Sequence, residues 1–343
     1  MNVADTAGSA RLMWLDLARG LAVVSMVIAH TSPWGGVLNG TEYLTAPWFA
    51  LLIGISLLLA WEKADGRAGV FIVSNVYRGL VLVLVGEWLQ RVYWQIDIVL
   101  QTLGLLTIVL APLVVLVGRR PWVWAAIAAV MVVVSPLLMG IAREWLASGG
   151  YGMGWLGRAV DLGFAGPHYR VTTFLAIAAA GIAATPALLA GRAIGRRGFV
   201  VAAGLLGGAA VAYVGGKLSP IGADAYSGTS AEIVGAILLS LSATWFCAWL
   251  VGALGEARVR AWVGAVVDTG RMAFTAYTVQ VLALAVIVRL FLGGGRDDHW
   301  AVMLGVIALC VGVSWAWLRV FRVGPLEWVL RLPGRVLAGR APE

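Results

Sequence analysis

The sequence predicts an all-α polytopic membrane protein with about ten transmembrane helices. Of its 343 residues, 61% are hydrophobic and only 12% are charged, and the mean hydropathy is +0.91. Soluble domains carry about twice that share of charged residues. We therefore expect one transmembrane domain over residues 11–321, which follows a short cytoplasmic N-terminus at residues 1–10 and precedes a basic cytoplasmic tail at residues 322–343.

The apolar residues occur in runs of about 20, which is the length a helix needs to cross the hydrocarbon core. Polar or glycine-rich segments separate the runs. The ten predicted helices are Arg11–His30, Thr45–Trp61, Val70–Gln90, Ile96–Val117, Trp122–Gly140, Arg170–Leu189, Phe199–Gly215, Ala231–Leu254, Val263–Leu292 and Trp300–Phe321.

Basic residues are distributed unequally between alternate loops, and this asymmetry predicts that both termini face the cytoplasm. One set of loops and the C-terminal tail contain Lys63, Arg67, Arg119, Arg120, Arg192, Arg196, Arg197, Arg258, Arg260, Arg322, Arg331, Arg335 and Arg340. The opposite loops contain only Arg91, Arg143, Arg158, Lys217 and Arg296.

The net charge of +8 does not point to a nucleic-acid partner. The basic residues are scattered through short loops, as expected of cytoplasmic loops in a membrane protein. Cys247 and Cys310 both lie inside apolar runs, where packing is a more economical explanation than a disulfide or a metal site.

The first predicted helix carries a polar stripe. Arg19 and His30 are eleven residues apart, which is three helical turns with about 20° left over. Asp16, Arg19, Val23, Met26 and His30 therefore share one face, and the rest of the helix is almost wholly apolar. Ionisable side chains inside a membrane are costly unless they face protein or water, so we expect this stripe to line a cavity.

His30 is the histidine that lies in a predicted helix, whereas His168 and His299 lie in outer loops. A neutral imidazole accepts the proton of an attacking hydroxyl or amine, so His30 is the candidate general base. Arg19 is a candidate site for an anionic substrate. Asp16, three residues earlier, is expected to pair with Arg19, because a buried arginine without a counter-charge is expensive.

Other polar residues in or beside the predicted helices indicate a polar interior passage. Structural ion pairs between helices are the alternative explanation for each of them. The donor-binding candidates besides Arg19 are Arg78, Gln101 and Arg271, and the further cavity candidates are Glu42, Glu87, Arg91, Asp97 and Asp268. The sequence contains no phosphate-binding loop and no metal-ligand spacing, so we expect no metal.

Several segments resemble known membrane proteins. Leu15–His30 resembles the first helix of proteins like heparan-α-glucosaminide N-acetyltransferase and of YeiB-like proteins. Its spacing of arginine, ten residues and histidine is also similar to the signature of integral membrane acyltransferases that O-acylate bacterial surface glycans. Ala46–Leu59 and Ile96–Val109 resemble the second and fourth helices of the first group. Gly270–Gln280 and Phe321–Arg331 resemble the C-terminal signature of the YeiB-like proteins.

The resemblance implies a bacterial plasma-membrane acyltransferase. In such enzymes cytoplasmic acyl-CoA passes its acyl group to an acceptor on the far side of the membrane. The family's histidine corresponds to His30 and its arginine to Arg19, which helical rise separates by about 16 Å. The donor phosphates would then lie towards Arg19 and the thioester towards His30.

The functional hypothesis is transfer of an acyl group, most simply acetyl, from acyl-CoA to a hydroxyl or amine of an extracytoplasmic sugar or glycolipid. Direct transfer and an acyl-histidine relay both remain open. A carrier or lipid-glycan translocator is the alternative, although the sequence lacks the internal repeats typical of that class. A non-catalytic scaffold would leave the polar stripe unexplained. Membrane lipids are expected partners, and homo-oligomerisation is left open.

Overall fold

A computed structural model describes residues 12–33, 37–191 and 195–337. The described residues form helices and no strands. The α-helices are α1 (Met13–Thr31), α2 (Thr45–Lys63), α3 (Ala68–Val92), α4 (Leu100–Val117), α5 (Pro121–Ala147), α6 (Trp155–Val160), α7 (Val171–Leu189), α8 (Gly195–Lys217), α9 (Ser230–Leu254), α10 (Glu256–Arg271), α11 (Ala273–Leu290), α12 (Trp300–Val320) and α13 (Pro325–Leu337).

Ten of the described helices are long and apolar enough to cross a membrane, which confirms the predicted all-helical, multi-pass architecture. Most predicted boundaries lie within a few residues of the observed ones. Two boundaries differ by seven residues: α5 continues to Ala147 instead of ending near Gly140, and α10 begins at Glu256 instead of Val263. The predicted N-terminal segment, residues 1–10, lies outside the described residues, and so do Arg11, Arg192 and Arg340.

The ninth predicted helix, Val263–Leu292, is wrong as a single element. The chain breaks at Met272, whose φ of −118° and ψ of 32° are not helical, and it forms α10 and α11 on either side. A further non-helical residue, Val263, bends α10. Because of these breaks, α10 packs along the first half of α1 while α11 continues through the bundle.

The predicted tail contains a helix that the hydropathy pattern did not reveal. Helix α13 is amphipathic, and it packs against α3 and α11. Leu326 and Leu330 join the hydrophobic core from this helix. The segment therefore forms part of the bundle's wall.

Helices α1, α2 and α7 are among the most buried spans, whereas α3, α5, α8 and α12 expose most of their surface. Small residues bring the central helices together. A Cβ atom built on Gly54 of α2 would lie 2.3 Å from the carbonyl oxygen of Ala178 in α7. Close approach at small residues is the usual way in which membrane helices pack.

The connecting segments 93–99, 161–170, 218–229 and 291–299 meet at one end of the bundle, which we call the loop end. Their contacts include a 2.5 Å hydrogen bond from the Tyr93 hydroxyl to Asp297 and one of 2.8 Å from Arg170 to the carbonyl of Tyr226. Helix α13 lies towards the opposite end, which we call the α13 end. There Arg119 pairs with Glu62 at 2.7 Å.

The contact between α1 and α10 yields a stability prediction. A Cβ atom on Gly270 would lie 1.7 Å from the carbonyl oxygen of Asp16 and 2.7 Å from the backbone nitrogen of Gly20. Gly270→Ala must therefore push the two helices apart, and we expect it to destabilise the fold by about 1–3 kcal/mol. Thermal unfolding in detergent measures the loss.

The matched control is Gly140→Ala in α5, where an added Cβ atom meets nothing within 4 Å. That variant is expected to unfold at or slightly above the wild-type temperature, because alanine favours a helix over glycine. Equal melting temperatures for the two variants would contradict the packing argument.

Candidate functional site

A cavity of about 350 Å³ lies between α1, α2, α3, α4, α10, α11 and α13. Its volume is in the range of small-molecule sites. Its wall extends from Val99, the residue before α4 at the loop end, to Thr107 in α4, a rise of about 12 Å. The polar residues of the described lining are Arg19, Ser56, Asn75, Arg78, Thr107, Arg271, Tyr277, Glu327 and Arg331.

Four of the described lining residues are arginines, and Glu327 is the carboxylate among them. The remaining wall is largely apolar, with Met26 from α1 and leucines from α2 and α4. Positive charge beside an apolar wall suits a ligand that has an anionic group and a long uncharged chain. Three of the predicted donor-binding residues, Arg19, Arg78 and Arg271, thus face one space.

Arg19 is held in place by two neighbours. It donates to Asp16 at 3.1 Å and to the Ser56 hydroxyl of α2 at 2.6 Å. The predicted pairing with Asp16 is confirmed, and Asp16 is buried while the side chain of Arg19 is 27% exposed. The aspartate supplies the counter-charge, and the guanidinium stays accessible from the cavity.

Arg271 repeats this arrangement in α10. It donates to Asp268 at 3.1 Å, and Asp268 also accepts a two-pronged contact from Arg260 at 2.8 and 3.1 Å. The Nε atom of Arg271 is buried and has no hydrogen-bond partner among the described residues. A buried N–H group without a hydrogen-bond partner destabilises the fold. A ligand that placed an acceptor atom beside this Nε would therefore be stabilised.

Arg78 attaches α3 to α13. Its Nε donates to the carbonyl of Leu330 at 3.1 Å, and its Nη1 donates to Asn75 at 3.3 Å. Arg331, the residue after Leu330, also lines the cavity. Two guanidinium groups thus lie in one part of the cavity wall near the α13 end.

Glu327 of α13 caps the start of α11. One carboxylate oxygen accepts from the backbone N–H groups of Phe274 and Thr275 at 2.9 and 3.0 Å, and the other accepts from the Thr275 hydroxyl at 2.6 Å. A carboxylate at a helix N-terminus satisfies unpaired donors and complements the helix dipole. This contact explains how α11 begins directly after the break at Met272.

His30 lies one helical turn beyond Met26 and is not among the described lining residues of the cavity. Its Nδ1 atom is 2.9 Å from the Nε2 atom of Gln280 in α11. Gln280 in turn lies one turn beyond Tyr277, which does line the cavity. Helices α1 and α11 therefore place Met26 and Tyr277 in the cavity wall. One turn nearer the loop end, the same helices bring His30 and Gln280 into contact.

The other residues predicted to face the cavity are not among its described lining residues. They are Glu42, Glu87, Arg91, Asp97, Gln101 and Asp268. Glu87 pairs with Arg91 at 3.1 Å and accepts from Gln101 at 2.8 Å, and this cluster also meets Arg158 at 3.8 Å. Gln101, predicted to bind the donor, thus supports a carboxylate in α3. Glu42 lies in a short helix, Val37–Tyr43, near the loop end.

Asp97 contacts His168, and sequence reasoning did not foresee this pair. Nδ1 of His168 is hydrogen-bonded to Asp97 across 71 residues of chain. The hydrogen bond raises the pKa of His168 and lowers the pKa of Asp97. The rings of Tyr169 and Tyr226 lie beside the histidine in tilted and edge contacts.

Arg170 holds this loop-end cluster together. It is 1% exposed, and it donates to the carbonyls of Gly166 and Tyr226, both at 2.8 Å. Burial lowers its pKa to about 10, which leaves it charged at neutral pH. The histidine and tyrosine segments are thereby fixed relative to each other. Only the cluster of aromatic residues near His168 was visible in the sequence.

Cys247 and Cys310 are buried and free, as predicted. Among the residues that the structure describes, no group of three or more His, Cys, Asp or Glu side chains is placed to hold a metal ion.

We compared the sequence with models of known protein families. Residues 172–333 match the family described as "Protein of unknown function (DUF418)". This family includes YeiB-like membrane proteins. The match spans α7 to most of α13 and contains the segments Gly270–Gln280 and Phe321–Arg331, whereas Arg19 and His30 lie outside it. No curated protein matches the sequence.

The Asp97–His168 pair predicts a pH-dependent contribution to stability. Because the pKa of His168 is higher in the folded protein than its usual value of 6.5, the charged histidine stabilises the fold fully below pH 6.5. This contribution is lost as the pH rises through the pKa of the folded protein. Because the pKa of Asp97 is lower in the folded protein than its usual value of 3.8, the charged aspartate stabilises the fold above pH 3.8. This contribution is lost as the pH falls through the pKa of the folded protein. The pair therefore contributes most between these two reference values.

Both side chains are about half exposed, so the contribution is expected to stay below about 1 kcal/mol. Melting temperatures of the wild type and of Asp97→Asn at pH 5, 7 and 9 test this. The difference should be largest at pH 5 and should shrink towards pH 9. A difference that does not vary with pH would exclude the ion pair as its source.

Proposed function

We propose that this protein is a membrane acyltransferase, which moves a short acyl group from acyl-CoA to a hydroxyl or amine of a sugar or glycolipid acceptor. The observation that carries the proposal is the arginine-lined cavity, which extends from the α13 end to within one helical turn of His30 and Gln280.

The charge and the apolar wall of the cavity support such a donor. Coenzyme A has phosphates at one end, a long uncharged arm and a thiol at the other end. Arg78, Arg271 and Arg331 would bind the phosphates near the α13 end by charge-assisted hydrogen bonds. The arm would lie along the apolar wall of α2 and α4, which would direct the thioester towards Met26 and Tyr277.

His30 is the proposed general base. The acceptor's nucleophile attacks the thioester carbon, its proton passes to the imidazole, and the C–S bond breaks as the C–O or C–N bond forms. Gln280 places its amide nitrogen 2.9 Å from Nδ1 of the ring, and its amide oxygen has no hydrogen-bond partner among the described residues. With the amide turned through 180°, that oxygen would accept from Nδ1–H, which would orient the imidazole and leave Nε2 free to take the proton. An acyl-histidine relay uses the same residues and remains an alternative route.

The acceptor would enter from the loop end. The aromatic and polar groups of Asp97, His168, Tyr169 and Tyr226 are suitable for a ligand with many hydroxyl groups, because they combine flat apolar faces with hydrogen-bond acceptors. The donor and the acceptor would then approach the reaction site from opposite ends of the bundle.

Donor binding depends on Arg78 if the proposal is right. Arg78→Gln removes a charge-assisted contact, which is worth about 1.5–3 kcal/mol, and is expected to weaken coenzyme A binding about 10- to 100-fold. Isothermal titration of the purified protein in detergent measures the affinity.

Arg119→Gln is the control, because it removes the same charge at the α13 end from a residue outside the cavity lining, 66% exposed. Coenzyme A binding by this variant should equal that of the wild type. If the two variants bind alike, the arginine-lined cavity is not the donor site.

Acyl transfer depends on His30. We expect His30→Ala to lower kcat by a factor of about 10²–10⁴, the usual contribution of a general base, and to leave donor affinity nearly unchanged. Turnover of radiolabelled acetyl-CoA in proteoliposomes that contain acceptor glycolipid gives the rate. His299→Ala, at the start of α12, is the histidine control and should retain full activity. Unchanged turnover in His30→Ala would refute the assignment.

The same vesicles separate the proposal from the carrier alternative. A carrier would move labelled glycolipid across the membrane without acetyl-CoA, whereas the proposed enzyme would not.

A further inference from the structure

Tyr277 is a buried tyrosine whose hydroxyl has no hydrogen-bond partner among the described residues. The residue is 2% exposed, and it lines the cavity. The backbone of Val99 lies beside the oxygen, but outside hydrogen-bond geometry. Leaving a buried hydroxyl unpaired destabilises a fold, so a ligand that supplied a hydrogen-bond partner, which the described residues do not, would be stabilised here.

The position of Tyr277 identifies where that partner would lie. Tyr277 and Gln280 are three residues apart on one face of α11, and Gln280 contacts His30. Met26 and His30 have the corresponding spacing on α1, and Met26 lines the same cavity. Tyr277 thus lies in the part of the cavity wall nearest to the histidine.

The presence of a tyrosine at position 277, where a phenylalanine would also fit, needs an explanation. The neighbouring lining residues Phe274 and Ala273 are apolar, so a phenylalanine would fill the wall without a desolvated hydroxyl. By contrast, the buried loop-end residue Tyr93 has its hydroxyl bonded to Asp297 at 2.5 Å. The contrast indicates that the Tyr277 hydroxyl is kept for a ligand.

We propose that the Tyr277 hydroxyl binds the carbonyl oxygen of the acyl thioester and stabilises the negative charge that develops on that oxygen during transfer. This inference rests on the proposed acyltransferase function and adds a second catalytic residue to it. A positioned donor in a site that excludes water is among the strongest means of stabilising a transition state.

The chemical step balances with the residues named. The acceptor's oxygen or nitrogen adds to the acyl carbon, and the carbonyl π electrons move to the oxygen, which accepts the hydrogen bond from Tyr277. The proton of the nucleophile passes to His30. Collapse of the intermediate restores the carbonyl and breaks the C–S bond, and the departing thiolate takes the proton from His30.

Tyr277→Phe removes only the hydroxyl, and it should have two opposite effects. It should lower kcat about 10²-fold or more, as removal of an oxyanion donor does. The melting temperature of the ligand-free protein should rise, because an unpaired buried hydroxyl has gone. A purely structural role for Tyr277 would lower activity and stability together.

Tyr93→Phe is the matched control. It removes a buried hydroxyl that has a partner and leaves Asp297 without its donor, so its melting temperature should fall. Since Tyr93 is outside the cavity lining, its kcat should stay at the wild-type value.

Ligand binding tests the inference without turnover. Coenzyme A lacks the acyl carbonyl, so acetyl-CoA should bind the wild type more tightly than coenzyme A does, and Tyr277→Phe should abolish this difference. Isothermal titration of both ligands with both proteins measures it.

The outcomes separate the two proposals. If neither ligand binds the wild type, the acyltransferase proposal fails, and the role of Tyr277 fails with it. If the wild type binds both and transfers the acyl group, but Tyr277→Phe keeps the same kcat and the same preference for acetyl-CoA, only the inference about Tyr277 is overturned.

Discussion

The close contact between α1 and α10 is the constraint on which the rest of the interior depends. Gly270 lies between Asp268 and Arg271, and it packs directly on the carbonyl of Asp16. Two segments with the same pattern, an aspartate followed three residues later by an arginine, are thereby placed side by side. Each aspartate is buried and pairs with the arginine three residues later, and Asp268 also pairs with Arg260. These counter-charges permit Arg19 and Arg271 to face one largely apolar cavity.

This arrangement answers a problem posed by the membrane. An isolated charge in hydrocarbon is expensive, and so is an arginine without a counter-charge in a protein interior. Arg19 and Arg271 are held by aspartates three residues earlier, and Arg78 is held by the backbone carbonyl of Leu330 in α13. They line the cavity and present hydrogen-bond donors to it. An anionic ligand would therefore find a site already organised.

The two ends of the bundle differ in chemistry. Guanidinium groups from α3, α10 and α13 dominate the cavity towards the α13 end, whereas tyrosines and the Asp97–His168 pair occupy the loop end. His30, Gln280 and Tyr277 lie between them. A donor and an acceptor that differ in charge and polarity would thus be sorted by the end from which they enter, and they would meet at the centre.

The sequence by itself determined the spans and the local pairs. Twenty-residue apolar runs must cross the bilayer as helices, and residues three or four apart on a helix must be neighbours. For this reason the positions of the ten spans and the Asp16–Arg19 and Asp268–Arg271 pairs were predictable. The break at Met272 was not, because the cap that begins α11 comes from Glu327, more than 50 residues later. Hydropathy does not record such a contact.

Only the tertiary structure decided which polar residues share a space. One cavity is lined by Arg19, Arg78 and Arg271. Gln101 instead donates a hydrogen bond to Glu87, and Asp97 is hydrogen-bonded to His168, 71 residues away in the chain. Among the described residues, the Tyr277 hydroxyl has no hydrogen-bond partner, and this too follows from how the neighbouring helices pack around it. Helical periodicity gives the face on which a side chain lies, but the partner opposite that face belongs to another helix. Its identity is set by the packing of the whole bundle.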